Sequence, residues 1–202
     1  MSEQPTTRDI LIATGLRALM AQGYDGAGLG PILAEAGVPK GSFYHYFASK
    51  EDFVLAVIDD YEVRYRALRE AFLDARPQDP LGALLEYFGA LDREFVASFP
   101  AGGCLYGILS QGMAGRSARL RARLARALHD WQAALAGMVA AAHAAGQTAA
   151  ARAVPGPDPA ATAALLIDLY EGAIVRAKAE GTPEALAAFR ACLPALLGAA
   201  AA

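Results

Sequence analysis

The chain contains, at residues 36–50, the stretch AGVPKGSFYHYFASK, in which neither Asp nor Glu occurs. Two lysines, one histidine and four hydroxyl groups in this stretch can donate hydrogen bonds to phosphates or to the edges of bases. Gly37 and Pro39 mark a turn, after which residues 40–47 have the length of a short helix. The composition of this segment favours a contact with nucleic acid.

Two further helical elements precede this stretch. Between residues 6 and 22, apolar residues recur three and four positions apart, and Gly23 is expected to end the first helix. Pro31 suits the first turn of a second short helix, which Gly37 ends. Three short elements with a turn before the third are typical of a helix-turn-helix, whose third helix enters the major groove of DNA.

The third helix has two faces of different chemistry. The polar positions, which we expect to face DNA, are Lys40, Ser42, Tyr44 and His45. The apolar positions are Val38, Phe43 and Phe47, of which we expect Phe43 and Phe47 to pack in the core.

The remainder of the chain predicts helices. Ser49 and Asp52 have the spacing of a capping box, so a long helix begins at Ser49 and continues until Pro77. Apolar periodicity then predicts helices at about 81–99, 104–113, 116–145, 160–180 and 183–198, the last with Thr182 as N-cap and Pro183 at N1, and a proline-rich loop at 147–159. Of 48 alanines, 34 follow residue 100, which favours helix over sheet. We expect an all-α fold of about nine helices: an N-terminal three-helix helix-turn-helix DNA-binding domain at residues 1–48, followed by a helical effector-binding and dimerisation domain at residues 49–202.

The whole chain is slightly acidic, with 18 Lys and Arg against 21 Asp and Glu and a net charge of −3. This balance excludes a generally basic nucleic-acid coat, so any DNA contact must be local. Two cysteines do not make a disulfide framework, the first residues do not resemble a secretory leader, and no apolar run approaches the roughly 20 residues that span a bilayer. We therefore expect a cytoplasmic protein with reduced thiols and no membrane contact.

From Ala36 to Glu51 the residues closely resemble the DNA-binding signature of the TetR family of transcriptional repressors, and the likeness covers about residues 8–58. The resemblance implies a homodimer on palindromic double-stranded operator DNA, with two recognition helices roughly 34–36 Å apart in successive major grooves. It also implies that the last two helices of each copy form the dimer interface. Carried over by position, the DNA-binding residues are Lys40, Gly41, Ser42, Tyr44, His45 and Tyr46, with Lys50 holding a phosphate.

One position departs from the pattern of this family. Members often place Ser or Thr at the N-cap of the second helix, where the hydroxyl also touches phosphate, but this chain has Gly28 there. Residues 1–50 contain four basic and four acidic side chains, so we expect modest non-specific affinity for DNA.

A second motif, Gly102-Gly103-Cys104-Leu105, places a thiol at the start of a helix, where the helix dipole favours thiolate. Together with the recognition motif, it resembles a subgroup related to the repressor of N-ethylmaleimide reductase. Repressors of that type respond to reactive electrophiles and oxidants, and relatives respond to small unsaturated acids. The hypothesis is that an effector, or modification of Cys104, releases the dimer from its operator. The alternative is a non-covalent small acid or hydrophobic ligand, with Cys104 buried and purely structural, as we expect for Cys192.

Aromatic residues at helical spacing can line an effector pocket or form plain core. The candidates are Phe88, Phe95, Trp131, Tyr170 and Tyr65. Glu171 and Arg176 can orient an effector, pair with each other or face solvent. The five arginines between Arg116 and Arg126 favour a solvated helix face over an anion or ligand gate.

An enzyme is the main alternative class. The sequence has three histidines, no metal-ligand cluster and no glycine-rich phosphate loop, so it predicts neither a catalytic site nor a cofactor or metal ion. An all-α adaptor would leave the acid-free, donor-rich stretch unexplained. The sequence therefore predicts a DNA-binding transcriptional repressor and not an enzyme.

Overall fold

The computed structural model describes residues 4–148 and 158–198. These residues form nine α-helices, as the sequence predicts: α1 Thr7–Gly26, α2 Leu29–Ala36, α3 Lys40–Tyr46, α4 Lys50–Ala75, α5 Pro80–Ser98, α6 Leu105–Met113, α7 Ala118–Ala144, α8 Pro159–Glu180 and α9 Glu184–Leu196.

The first helix begins at a capping box and continues past its expected end. The Thr6 hydroxyl accepts from the Asp9 amide, and the Asp9 carboxylate accepts from the Thr6 amide at 3.0 Å. Gly23 was expected to end α1, but its left-handed φ of 66° produces a kink, and the helix resumes until Gly26. The bend therefore lies inside α1 and not at its end.

The two helices of the helix-turn-helix begin without side-chain caps. Gly28 occupies the N-cap of α2 and has no side chain to accept from the first amides, as the sequence predicts. Gly37 ends α2 in the left-handed region at φ 66°, and Pro39 then precedes α3. The turn predicted at Gly37 and Pro39 is confirmed.

Two other helix starts test the capping predictions. The Ser49 hydroxyl accepts from the Asp52 amide at 3.1 Å and donates to the Asp52 carboxylate at 2.7 Å, so α4 begins where expected. The prediction for α9 is wrong by one residue, because Pro183 takes the N-cap position with a ψ of 8°. Thr182 instead accepts from the Glu184 amide at 3.4 Å, a local turn that precedes the helix. Most of the loop expected at 147–159 lies outside the described residues.

The chain folds as two compact units. Of the residues that the structure describes, those up to Arg64 and Gly103–Ala127 form the first unit, and Tyr65–Gly102 and those from Leu128 onward form the second. In the first unit α1 packs against α2 and α6, and in the second α9 packs against α5 and α8. The domain boundary predicted after residue 48 is a functional division and stays a prediction.

Each unit has its own apolar core. In the first, the fully buried side chains include Leu11, Leu19, Phe43, Phe53, Ile58, Leu105 and Leu120. In the second they include Leu84, Tyr87, Phe88, Leu135, Leu166 and Leu193. The core of the first unit therefore fixes the helix-turn-helix to the start of α4 and to α6.

Among the helices that the structure describes, none has the length and apolar character needed to cross a bilayer.

Candidate DNA-binding and effector sites

Aromatic packing anchors the third helix, α3, on the start of α4. Phe43 and Phe47 are buried, as predicted for the apolar face of this helix. Their ring centroids lie 5.6 Å and 5.0 Å from that of Phe53, in the first turn of α4. Edge-to-face aromatic pairs of this kind favour defined geometry. The orientation of α3 is therefore set by contacts on its inner face.

The outer face of α3 presents the predicted donors to solvent. Tyr44 is 54% exposed and Tyr46 also lies at the surface, which is unusual for large aromatic side chains. The other predicted DNA-binding residues of this helix are the exposed Lys40, Gly41 and His45 and the half-buried Ser42. The structure thus brings six of the seven predicted DNA-binding residues together on one short helix.

Lys50, the seventh, is half-buried at the start of α4. Its ammonium donates to the carbonyl of Tyr24 at 2.6 Å and lies 4.4 Å from the centre of the Tyr24 ring. Partial burial lowers the pKa of Lys50, while Asp25 acts in the opposite direction. Lys50 therefore joins the start of α4 to the kinked end of α1, a role that sequence reasoning missed.

A shallow groove lies between α2 and α3. Its volume is about 270 Å³, and its lining consists of Leu29, Gly30, Leu33, Lys40 and Tyr44. A Cβ added at Gly30 or Gly41 would meet no described atom within 4 Å, so these glycines leave open space beside the recognition helix. Periodicity alone places Leu33 in the core and does not reveal that it borders this groove.

Arg8 is a second feature of this surface that sequence reasoning missed. Its guanidinium lies 5.6 Å from the centre of the Phe47 ring, and the side chain is exposed. Arg17, the other basic residue of α1, pairs with Glu35 at 2.7 Å. Arg8 therefore adds an available positive charge next to α3, and only the folded structure places it there.

Three of the aromatic effector candidates meet in the second unit. The Tyr170 ring lies 5.6 Å from Phe88 and 6.2 Å from Trp131, centroid to centroid. Phe189, which sequence reasoning did not select, completes the group at 5.3 Å from Phe88 and 5.7 Å from Tyr170. We call these four buried residues the aromatic cluster. Phe95 is also buried, but its ring contact is with Phe99.

The polar groups around the aromatic cluster are few. Trp131 is 5% exposed, and its Nε1–H has no acceptor among the residues that the structure describes. A buried donor without an acceptor costs about 1–3 kcal/mol. Glu171 is half-buried next to Tyr170, and Arg176 donates to Glu180 at 2.9 Å. The candidate Tyr65 is half-buried.

The structure buries one cysteine and exposes the other. Cys104 is the N-cap of α6 in the first unit and is only 6% exposed. Cys192 was expected in the core, but it is exposed. The buried positions of α9 here are Phe189 and Leu193, and a residue adjacent to Leu193 lies about 100° away around the helix. The core prediction for Cys192 is therefore wrong.

The arginine cluster is divided between two environments. Arg121 and Arg126 are exposed, as a solvated helix face requires. Arg116, Arg119 and Arg123 instead form ion pairs with acidic residues of α1 and α4. The predicted solvated face is therefore wrong for Arg123, which is largely shielded from solvent.

The first three helices, with aromatic residues of α3 buried on its inner face and hydrogen-bond donors exposed on its outer face, define a helix-turn-helix DNA-binding protein. Residues 11–57 match the model of the bacterial regulatory proteins of the tetR family, and residues 80–193 match that of the tetracyclin repressor-like C-terminal domain. The chain belongs to the TetR family of transcriptional regulators.

Individual relatives agree with this assignment. The transcriptional regulator AcuR of Cereibacter sphaeroides is 41% identical over 181 residues, which cover 89% of this chain and 80% of AcuR. A solved regulatory protein TetR from Rhodobacter sphaeroides is 34% identical and superposes with a TM-score of 0.86 over 94% of this chain and 98% of its own. The repressor NemR of Escherichia coli is 33% identical over 58% of this chain and 59% of NemR, which confirms the resemblance to its subgroup.

Family membership confirms several predictions from the sequence. TetR-family proteins are DNA-binding transcriptional regulators and repressors rather than enzymes. Members bind operator DNA as dimers, and regulation by small ligands is typical of the family. The all-α fold with an N-terminal helix-turn-helix is also confirmed.

Proposed function

We propose that this chain is a cytoplasmic repressor that binds a palindromic operator as a homodimer and leaves it when an effector binds. The observation that carries this proposal is the division of α3 into a buried aromatic base and an exposed face of donors. An exposed, acid-free helix face is what major-groove entry requires. On this proposal the DNA-binding function belongs to residues 1–48 and the effector and dimer functions to residues 49–202.

The roles on DNA follow from the chemistry of each side chain. Lys40, Tyr44 and Tyr46 contact phosphates, while Ser42 and His45 reach base edges. Gly41 allows the backbone of α3 to approach the DNA closely, because nothing described fills the space beside it. Lys50 donates one of its three N–H groups to Tyr24 and keeps two for a phosphate.

The second copy binds on the outer face of α8 and α9. Four apolar side chains are exposed on these helices: Leu165, Leu169, Val175 and Leu196. A groove of about 440 Å³ between α8 and α9 is lined mostly by apolar and small residues, among them Leu169 and Phe189, together with Asp168 and Arg176. Burying such a surface against its own copy gives a self-complementary interface.

The effector binds at the aromatic cluster. Apolar walls with a few polar groups are typical of small-ligand sites, and the Trp131 Nε1–H offers an acceptor-bearing ligand a buried hydrogen bond. Glu171 orients the ligand from the position next to Tyr170, and Phe95 is included because it lies seven positions after Phe88 on the same face of α5.

The other candidate route for release is covalent modification of the Cys104 thiol. Its N-cap position favours thiolate, and the Escherichia coli NemR relative has been solved in a reduced form. The burial of Cys104 instead favours the non-covalent route, with Cys104 structural, because a reagent would have to reach a thiol that is 6% exposed.

The test is binding of labelled DNA from upstream of the gene of this protein, measured as a function of salt concentration. Lys40→Gln should lower the slope of log K against log salt by about 1.8, since a dimer loses two phosphate contacts at about 0.9 each. Arg66→Gln is the control, because Arg66 is an exposed cation of α4 outside the helix-turn-helix. Absence of a sequence-dependent, salt-sensitive complex for the wild-type protein would contradict the proposal.

A further inference from the structure

Three arginines of one segment bind acidic residues that lie 61 to 91 positions away in the chain. Arg116 contacts Asp25 at 2.5 Å, just after the kink of α1. Arg119 contacts Asp52 at 2.8 Å and Glu51 at 3.4 Å, in the first turn of α4. Both the start of α4 and the end of α1 are thus tied to the segment that leads into α7.

The third arginine binds further along the same helix. The Nε of Arg123 donates to Asp59 at 2.7 Å, and its Nη2 donates to Glu62. We call Arg116, Arg119 and Arg123 the arginine clasp. All of its contacts lie within the first compact unit.

Helix periodicity explains why these contacts form in register. Arg119 and Arg123 are one turn apart on α7, so both side chains project from one face. On α4, Asp52, Asp59 and Glu62 are seven and three positions apart and also share a face. The two helices therefore present matching rows of opposite charge.

The members of the arginine clasp differ in their exposure to solvent. Arg119 is 61% exposed, and water and salt weaken a pair of that kind. Arg123 and Glu62 are only 17% and 18% exposed, so their attraction is screened least. Arg123 is therefore the member of the clasp whose ion pairs water and salt weaken least.

The groups held by the arginine clasp are those that support α3. Asp52 lies next to Phe53, whose ring packs against the rings of Phe43, in α3, and Phe47, which follows it. Asp25 lies next to Tyr24, which is bound by Lys50. A shift of either segment would therefore move the base on which the recognition helix rests.

We propose that the arginine clasp positions the recognition helix: it holds the start of α4 and the end of α1 in the arrangement that binds DNA, although its own side chains bind protein carboxylates. This inference rests on the proposed DNA-binding function. It also assigns the segment from Gly103 to Ala127 to the DNA-reading machinery, although it is far from the helix-turn-helix in sequence.

The alternative role as an anion site is disfavoured by the local charge. The three arginines of the clasp face five carboxylates, those of Asp25, Glu51, Asp52, Asp59 and Glu62, so the cluster carries a net charge of −2. A cluster with excess negative charge repels anions.

The test compares two double variants of α7 with the same loss of charge. Arg119→Gln/Arg123→Gln breaks the clasp, and Arg121→Gln/Arg126→Gln removes two exposed arginines from the same helix. Operator affinity is measured per active molecule, by titration against excess DNA, together with the salt slope and the melting temperature. We expect the clasp variant to bind about tenfold more weakly and to show a smaller slope of log K against log salt, because a displaced recognition helix loses phosphate contacts. The control variant should keep the wild-type affinity.

A purely structural role would lower the melting temperature of the clasp variant but leave the affinity and salt slope of its active fraction unchanged, and that result would overturn the inference. A comparable loss of affinity in both double variants would also overturn it, since net charge would then be the cause.

The exposed pair of Asp25 and Arg116 gives a second test that does not threaten folding. In a double-mutant cycle, Asp25→Asn and Arg116→Gln should each weaken operator binding, and the double variant should be no weaker than either single one. Additive effects, or no effect of either substitution, would contradict the inference. If the wild-type protein itself fails to bind the operator, the proposed function fails instead.

Discussion

Replacing Gly15 with alanine tests how α1 supports the recognition helix. Gly15 is buried in α1, and a Cβ at this position would lie 2.2 Å from Cζ and 2.7 Å from Cε1 of Phe53. Ordinary carbon contacts begin at 3.4 Å, so the ring would have to move by about 1.2 Å. It has little room to do so, because Phe43 and Phe47 pack against it and Phe53 is buried.

Two effects of opposite sign decide the outcome of Gly15→Ala. Alanine gains about 1 kcal/mol over glycine in a helix interior, whereas overpacking a filled core costs about 1–3 kcal/mol. We expect Gly15→Ala to be destabilising by up to about 2 kcal/mol. Operator binding should weaken as well, because the displaced Phe53 ring carries α3.

The assay is urea unfolding of Gly15→Ala beside a control in which the new methyl group is free. Gly137 lies inside α7, is exposed, and has no described atom within 4 Å of an added Cβ, so Gly137→Ala should stabilise by up to about 1 kcal/mol. Trp131 is the single tryptophan, so its fluorescence reports on the second unit and far-UV circular dichroism on all helices. If Gly15→Ala stabilised the protein as much as Gly137→Ala does, the packing argument would be refuted.

Three further outcomes are expected. Hydrogen bonds from the Ser49 hydroxyl and then from Arg119 lower the pKa of Asp52 below its ordinary value of 3.8. The ionised carboxylate therefore stabilises the fold at neutral pH, and this stabilisation is lost as the pH falls through the lowered pKa. Asp52→Asn should make the free energy of unfolding less dependent on pH in the acid range, and an unchanged pH dependence would count against the cap of α4. Cys104 should react slowly with maleimide at every protein concentration because it is buried, whereas Cys192 should react faster on dilution, when the α8–α9 interface separates; rapid labelling of Cys104 would restore the covalent sensor. Leu169→Glu should convert the dimer to a monomer in sedimentation experiments while the melting curve of the first unit stays unchanged, and a persistent dimer would place the interface elsewhere.

The two faces of the recognition helix could be predicted from local sequence, because the residues that define them lie within a few positions of one another. Phe43 and Phe47 lie four positions apart, so helix periodicity places them on one face and the polar Tyr44 on another. The structure buries the two phenylalanines and exposes Tyr44. The start of α4 was also predictable, since the capping box of Ser49 and Asp52 is a local interaction.

The features missed by sequence reasoning depend on contacts between distant parts of the chain. Arg123 has the charge of a surface residue, and nothing local shows that Asp59 and Glu62 lie beside it. Lys50 has the position of a phosphate-binding residue, and nothing local shows that its ammonium also donates to the Tyr24 carbonyl 26 positions earlier. Such tertiary partners change the role of a residue without changing its local pattern.

Small residues account for the other errors. Gly23 can end a helix or kink it, and the choice depends on whether the following residues find helical partners, as those up to Gly26 do. Cys192 lies in a helix whose alanines mark no clear apolar face. The side of this helix that is buried is decided by Phe189 and Leu193, and Cys192 does not lie on that side. An alanine-rich helix gives a weak signal of which side is buried.

The central claim is that α3 reads operator DNA as part of a dimer. The most direct measurement is fluorescence anisotropy of a labelled duplex from upstream of the gene, compared with the same duplex in scrambled order at two salt concentrations. We predict a complex of two chains per duplex that prefers the natural sequence by at least 10³-fold, the lower end for specific DNA binding, weakens with salt, and binds more weakly still in the Tyr44→Ala variant. Equal affinity for both duplexes, or unchanged binding by Tyr44→Ala, would contradict the claim.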